Sequence, residues 1–278
     1  MALLYSCTNG LFGSKAPVKL QQAWATDNVL RAPESALHDP QRDVIYVSTI
    51  NKASSKDHKD EDSFITKLTP DGKVEELYWV SGLNDPRGLA LYNSVLYVAD
   101  INEVVAIATQ TGAILRRYQA DKAEKLNDIT ADNTGNIYVT DTDGKRIYQP
   151  HNGRMTTWMT RTAGENPNGI YYDGTRLLLA FKSNGEIKSL NAESSKFSDW
   201  TNGIGAADGI TKTPDGNYLV SNWEGEVFLV NPEGKKWRVL DTKDQKINAA
   251  DINYADRLHV LLAPTFNDNR AVAYTVSD

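Results

Sequence analysis

Glu34, Arg87, Asn127, Asn168, Asp208 and Ala250 hold one place in six copies of a short pattern, at steps of 53, 40, 41, 40 and 42 residues. The copies read Pro33-Glu34-Ser35-Ala36-Leu37, Pro86-Arg87-Gly88-Leu89-Ala90, Leu126-Asn127-Asp128-Ile129-Thr130, Pro167-Asn168-Gly169-Ile170-Tyr171, Ala207-Asp208-Gly209-Ile210-Thr211 and Ala249-Ala250-Asp251-Ile252-Asn253. Two carboxylates and two amides are all oxygen donors, and no His or Cys stands among them. Such a set suits a hard divalent cation, Ca²⁺ first and Mg²⁺ or Mn²⁺ next, and does not suit structural zinc. Ca²⁺ takes about 6–8 oxygens, so water or substrate would complete the shell. Open positions on a cation are what metal-assisted hydrolysis uses, through a polarised carbonyl and an activated water. The plain alternative is that these positions face a wet channel mouth, where polar residues need no function.

Bringing residues so far apart in the chain to one point demands a radial architecture. The first step is long because residues 51–62 form a charged insertion; without those twelve residues it is 41. A repeat near 41 residues fits a four-stranded propeller blade. Each copy carries short β-branched or aromatic runs, such as Val44–Ser48, Phe64–Leu68 and Val74–Tyr78 in the first. Turn pairs Asp71-Gly72, Asp143-Gly144, Asp173-Gly174, Asn184-Gly185 and Asp215-Gly216 punctuate them. No segment keeps helical periodicity over three turns. The sixth copy is one strand short, ending with Ala271–Thr275, while Val18–Trp24 precedes the first copy without a blade of its own. The expected fold is therefore all-β, a six-bladed propeller whose N-terminal strand completes the last blade and removes its exposed edge. The expected domains are a flexible N-terminus over 1–16 and a single propeller over 17–278.

Composition narrows the partners. A net charge of −6 argues against nucleic acid or an anionic membrane. Apolar residues at 40% and charged residues at 24% are those of an ordinary globular chain, and no run approaches the length of a membrane-spanning helix. The single cysteine, Cys7, forbids an intrachain disulfide. Leu4-Tyr5-Ser6-Cys7-Thr8-Asn9-Gly10 resembles the end of a bacterial lipoprotein signal, with Cys7 as a lipid anchor; the alternative is an ordinary disordered start. The expectation is an extracytoplasmic, periplasmic protein, with the cytoplasm as the alternative.

In a propeller the ring residues start the inner strands around one mouth of the channel. The turns after the second strands reach the same face, bringing Asp100, Asp141, Lys182, Asn222-Trp223 and Thr265-Phe266. The 51–62 insertion belongs there too, as a lid or as a solvated charge run. His38, His58, His151 and His259 all miss the ring. No G-x-S-x-G elbow, phosphate loop or dinucleotide glycine pattern is present.

Pro33-Glu34, Leu126-Asn127-Asp128, Pro167-Asn168-Gly169 and Asp208-Gly209 resemble the metal-site motifs of the SMP-30/gluconolactonase/LRE-like family of six-bladed propellers. The paraoxonases are similar in architecture and ligands. The resemblance runs from about residue 33 to the C-terminus. It implies lactone hydrolysis with a divalent cation, with Glu34, Asn168 and Asp208 as metal ligands. It also implies Asn127 as a further ligand, catalytic or substrate-binding residue, and Asp208 as the general base acting on water. Sugar-lactonase members carry an Arg where this chain has Lys125, and paraoxonases a His where it has Arg87. Lys125 holds a charge without a bidentate grip. Arg87 either pairs with Glu34 or Asp208, competing with a cation, or binds an anionic substrate group. Trp223 and Phe266 offer a hydrophobic wall for a small-molecule substrate, or simple packing. The competing expectation is a non-catalytic propeller that binds a protein, peptide or glycan on its top face, and a lyase or synthase is a third.

Overall fold

The computed structural model describes residues 16–51, 61–160 and 166–277. Cys7 and most of the charged insertion, including His58, lie outside the described residues. After β1 (Lys19–Ala25), blade one is built from β2 (Pro33–Asp39), β3 (Val44–Thr49), β4 (Ser63–Leu68) and β5 (Val74–Leu83). Blade two is β6 (Pro86–Tyr92), β7 (Val95–Asp100), β8 (Glu103–Ala108) and β9 (Ile114–Gln119). Blade three is β10 (Leu126–Ala131), β11 (Ile137–Asp141), β12 (Arg146–His151) and β13 (Arg154–Met159). Blade four is β14 (Pro167–Tyr172), β15 (Leu177–Phe181), β16 (Ile187–Asn191) and β17 (Lys196–Thr201). Blade five is β18 (Ala207–Lys212), β19 (Tyr218–Asn222), β20 (Glu226–Val230) and β21 (Lys236–Asp241). The last sheet joins β22 (Asn253–Ala255), β23 (Val260–Thr265) and β24 (Arg270–Ser277) to β1.

The six four-stranded sheets are the expected blades, and the N-terminal strand closes the ring as the spacing predicts. β1 runs antiparallel to β24 from Lys19 opposite Ser277 to Ala25 opposite Val272, with a bulge between Gln22 and Trp24. The pairing satisfies the ladder groups of β24 that would otherwise form an open edge. It also adds Val18 and Leu20 to the apolar layer of Val272 and Tyr274. Blades adhere through such layers: Tyr46, Ile65, Leu96, Val98 and Ile107 pack between blades one and two. Each fully buried aliphatic side chain of this kind contributes roughly 1.5–3 kcal/mol.

Blade six departs from the regular plan. Its inner strand β22 is only three residues long, because the segment before it leans onto blade one. Asp251 makes an isolated parallel bridge with Ser35, and its N–H donates to the Glu34 carbonyl at 3.0 Å. Ala249 and Ala250 are small enough to pass this crossing fully buried.

The ends of the second strands carry a repeated brace. Asp100 accepts N–H bonds from Asn84 and Asp85, and Asp141 accepts them from Glu124 and Lys125. Asn222 takes the equivalent place in blade five and donates to the Ile204 carbonyl at 2.6 Å. Asp100, Asp141 and Asn222 are therefore spent on fixing the loops that lead into the inner strands, which sets where the ring residues begin.

Candidate functional site at the channel mouth

The inner strands deliver the ring residues to one mouth, buried at 5% exposure for Glu34, 8% for Asn127, 2% for Asn168 and 6% for Asp208. Arg87 reaches across between blades. Its Nη1 donates to Glu34 Oε1 at 2.6 Å and its Nη2 to Asp85 Oδ2 at 2.9 Å. Of the pairings open to Arg87 from the sequence, the one with Glu34 is formed, and Asp85, which the repeat did not single out, is the second partner. Glu34 Oε2 is buried with no hydrogen-bond partner.

On the other side the amides link in a chain. Asn127 Nδ2 donates to Thr142 Oγ1 at 3.0 Å and to Asn168 Oδ1, and Asn168 Nδ2 donates to the Ala207 carbonyl at 3.3 Å. Which amide atom faces which neighbour is an assignment that a ligand can reverse by flipping the group. Among the described residues, no donor reaches the Asp208 carboxyl. Burial pushes its pKa well above the ordinary carboxylate value, and Glu34 and Asp251 push further; Lys182 and Arg87 only partly offset them.

Directly beneath the ring lies a second tier, one residue further along each strand: Ser35, Gly88, Asp128, Gly169, Gly209 and Asp251. The glycines are required by proximity. A Cβ on Gly169 would sit 1.9 Å from the Asp208 carbonyl oxygen, and one on Gly209 2.3 Å from the Ile252 nitrogen. The two acids tie blades together. Asp128 accepts the N–H groups of Ile129 and Ile170, each at 2.7 Å, and Ser35 Oγ donates to Asp251 Oδ2 at 2.6 Å. Burial drives Asp128 up to about 7, against its two backbone bonds and with help from Asp208 and Glu34. Asp251 is likewise pushed well up by burial, then by Asp128. This tier escaped the motif reading, although it is legible as the next column of the same repeat: two acids among otherwise small residues. A cavity of about 170 Å³ follows the inner strands away from the ring and is lined by Ser35, Asp128, Asp251 and Asn253 among others.

The buried acids fix a pH dependence. A carboxyl held above its unfolded value of about 3.9 costs nothing while both states are protonated. It destabilises the fold increasingly as pH rises toward its folded pKa, because the native state then binds more protons than the unfolded state. The cation-free protein is therefore expected to lose thermal stability as pH rises from about 4.5 to about 7, where Asp128 titrates, with Asp208 and Asp251 adding to the loss. Asp173 and Glu226 do not blur this window. Hydrogen bonds overcome their burial and hold both at about 2, so their stabilising contribution is lost only at lower pH. Melting curves across the range check this, and a flat profile would contradict it.

The remaining residues expected at the site flank the ring. The Lys125 N–H donates to Asp141 Oδ1 at 2.8 Å, and its ammonium is half-buried. Its pKa is lowered by burial, then by Arg87, with Lys182 adding and Asp143 opposing. Lys182 Nζ stands 5.4 Å from the centre of the Trp223 ring. Trp223 meets Phe266 edge-on at 5.0 Å and packs with Ala32 and Ile50. One arc of the mouth is thus cationic and the facing arc apolar.

A divalent cation is what the sequence leads one to expect here, and the donors can be tested for it. Among the described residues, no three His, Cys, Asp or Glu side chains converge as a metal cluster. A cation at the ring would need amide oxygens beside the Glu34 and Asp208 carboxylates. The unpartnered Glu34 Oε2 fits that demand and the Asp208 carboxyl lies near enough to feel Glu34, with Asn168 and Asn127 completing an all-oxygen set. The guanidinium on Glu34 Oε1 competes with it.

No family model matches the chain, and no curated protein matches it in sequence. Solved structures do match in fold. A catalytically inactive variant of virginiamycin B lyase from Staphylococcus aureus, solved with quinupristin, is 14% identical with a TM-score of 0.64, covering 93% of this chain and 99% of that one. A streptogramin B lyase is 12% identical with a TM-score of 0.66, over 94% and 98%. A proposed gluconolactonase is 13% identical with a TM-score of 0.68, over 94% of each chain. The shared property is the fold. The architecture, a six-bladed propeller, is the one the motifs lead one to expect, and it is common to the lyases and the gluconolactonase alike. Among the described residues, no helix is long and apolar enough to cross a membrane.

Proposed function

We propose that the protein is a divalent-cation-dependent hydrolase of lactones or related esters, acting at the channel mouth. One observation carries this reading: Glu34 Oε2 is a buried acceptor without a donor, and Asp208, 6% exposed, brings a second carboxyl close enough for Glu34 to raise its pKa. Such an arrangement is costly unless a positive group joins it. Glu34, Asn168 and Asp208 would hold the cation, with Asn127 beside them. When bound, the cation would supply positive charge that polarises a carbonyl and favours ionised carboxyls and water.

The chain's own residues have separate tasks. Asp208, ionised, takes the proton from the attacking water and can return it to the leaving alkoxide as the ring opens. The Asn127 amide, held by Thr142, orients the substrate or water next to Asn168. Arg87, Lys125 and Lys182 place positive charge where the tetrahedral oxyanion and the product carboxylate develop. Trp223 and Phe266 exclude water from the apolar side.

The test is a chelation experiment on a panel of lactones in heavy-oxygen water. Chelation is expected to abolish ring opening, and Ca²⁺, Mg²⁺ or Mn²⁺ to restore it with the label in the product carboxylate. Failure of every cation to restore or support turnover would sink the reading. A bound cation with no turnover would leave the non-catalytic scaffold as the better account. A second reading is favoured by the lyases among the fold neighbours. The same carboxylate could take a proton from carbon and expel a carboxylate or alkoxide, giving an unlabelled product with a new double bond.

A further inference from the structure

Resting on the reading of this mouth as a substrate site, its two arcs identify what kind of substrate it takes. Arg87 is already matched by Glu34 and Asp85. Lys125 and Lys182 are not: among the described residues neither forms an ion pair, and the acids that Lys125 senses are the exposed Asp143 at the rim and Glu34, which Arg87 already engages. Lys125 is half-buried and stands near enough to Arg87 and to Lys182 to feel both as like charges. Two ammonium groups that no carboxylate holds in an ion pair are free to take the charge of an incoming anion.

The facing arc has the opposite character. Phe266, Ile50 and Ala32 are buried against half-buried Trp223. Lys182 joins the arcs, with its ammonium over the indole at 5.4 Å. An anionic group drawn to Lys182 would therefore leave the rest of its molecule beside an aromatic surface.

We propose that the mouth selects an amphiphilic anion: Lys125 and Lys182 hold a carboxylate or similar anionic group, while the hydrocarbon body lies on Trp223 and Phe266. A sugar lactone, neutral and hydroxylated over its whole surface, matches neither arc.

Calorimetry on the intact protein tests this with octanoate and its neutral counterpart octanamide. Octanoate is expected to bind at least about tenfold more tightly, the size of one charge-assisted contact. The preference should shrink as salt is raised. The double variant Lys125→Gln/Lys182→Gln should lose the preference while still binding octanamide. Trp223→Leu should weaken both ligands by a similar factor. Circular dichroism and melting curves confirm that each variant folds, and Lys182→Gln alone, at an exposed position, serves if the double variant does not. No charge preference in the wild-type protein, or a preference unchanged in the lysine variants, overturns the proposal. Lactones are then compared. Charge-selective binding of octanoate with no ring opening would keep this proposal and remove the hydrolase reading. Ring opening with neutral lactones preferred over carboxylate-bearing ones would do the reverse.

Discussion

Asp208→Asn is expected to lower lactone turnover by about a thousandfold or more while raising the melting temperature of the cation-free protein at neutral pH. The rate loss follows from removing the one ring carboxyl that no donor occupies. General bases contribute about 10²–10⁴ to rate, and the substitution also removes a charge that would hold the cation. The gain in stability follows from the same residue's surroundings. Burial, Glu34 and Asp251 all disfavour its ionised form, so an uncharged amide of equal size relieves the fold. A carboxylate that costs stability in the resting protein is the signature of a group placed for function. Paired assays of turnover and melting check both halves. Wild-type turnover by the variant, or a lower melting point with lost turnover, would remove Asp208 from the mechanism.

Arg87→Gln should weaken the cation-free protein and strengthen its grip on a cation. The guanidinium is the counter-charge for Glu34 and Asp85, whose side chains are only 6% and 8% exposed. Breaking such a buried pair from one side costs about 3–5 kcal/mol, because the remaining carboxylates keep their charge without a partner. With the competitor gone, Glu34 offers both oxygens. Ca²⁺ affinity is expected to rise by about ten- to a hundredfold, equivalent to about 1.4–2.8 kcal/mol. Added Ca²⁺ should correspondingly restore more melting temperature to the variant than to the wild-type protein, since binding to the native state alone stabilises it. Titration calorimetry and melting with and without Ca²⁺ read both effects. Unchanged or weaker binding would mean that the guanidinium does not stand in the cation's way.

The sequence is most legible where local hydrogen bonding repeats. Runs such as Val44–Ser48 and Phe64–Leu68 fall within β3 and β4, and the unpaired Val18–Trp24 run overlaps β1, because alternation and turn chemistry are properties of short segments. The ring was legible for the same reason: equal positions in equal blades must face one axis. Less visible was the work of Asp100 and Asp141. Their place on the mouth face was readable, but their binding to backbone N–H groups of preceding loops was not. Asp128 and Asp251 stand in the next column of the same repeat, but nothing local says that both acids are buried.

By itself the sequence determined the blade count, the closure of the ring and the six residues at the mouth, since these follow from period and strand chemistry. Only the tertiary structure decided how those residues are engaged. The Arg87–Glu34 pair joins residues 53 apart and the Ser35–Asp251 bond residues 216 apart. Whether such groups meet depends on side-chain torsions, on neighbours such as Asp85 and on how far water is excluded. The repeat encodes none of these, because it specifies where each strand begins and leaves open which charge its side chain will find.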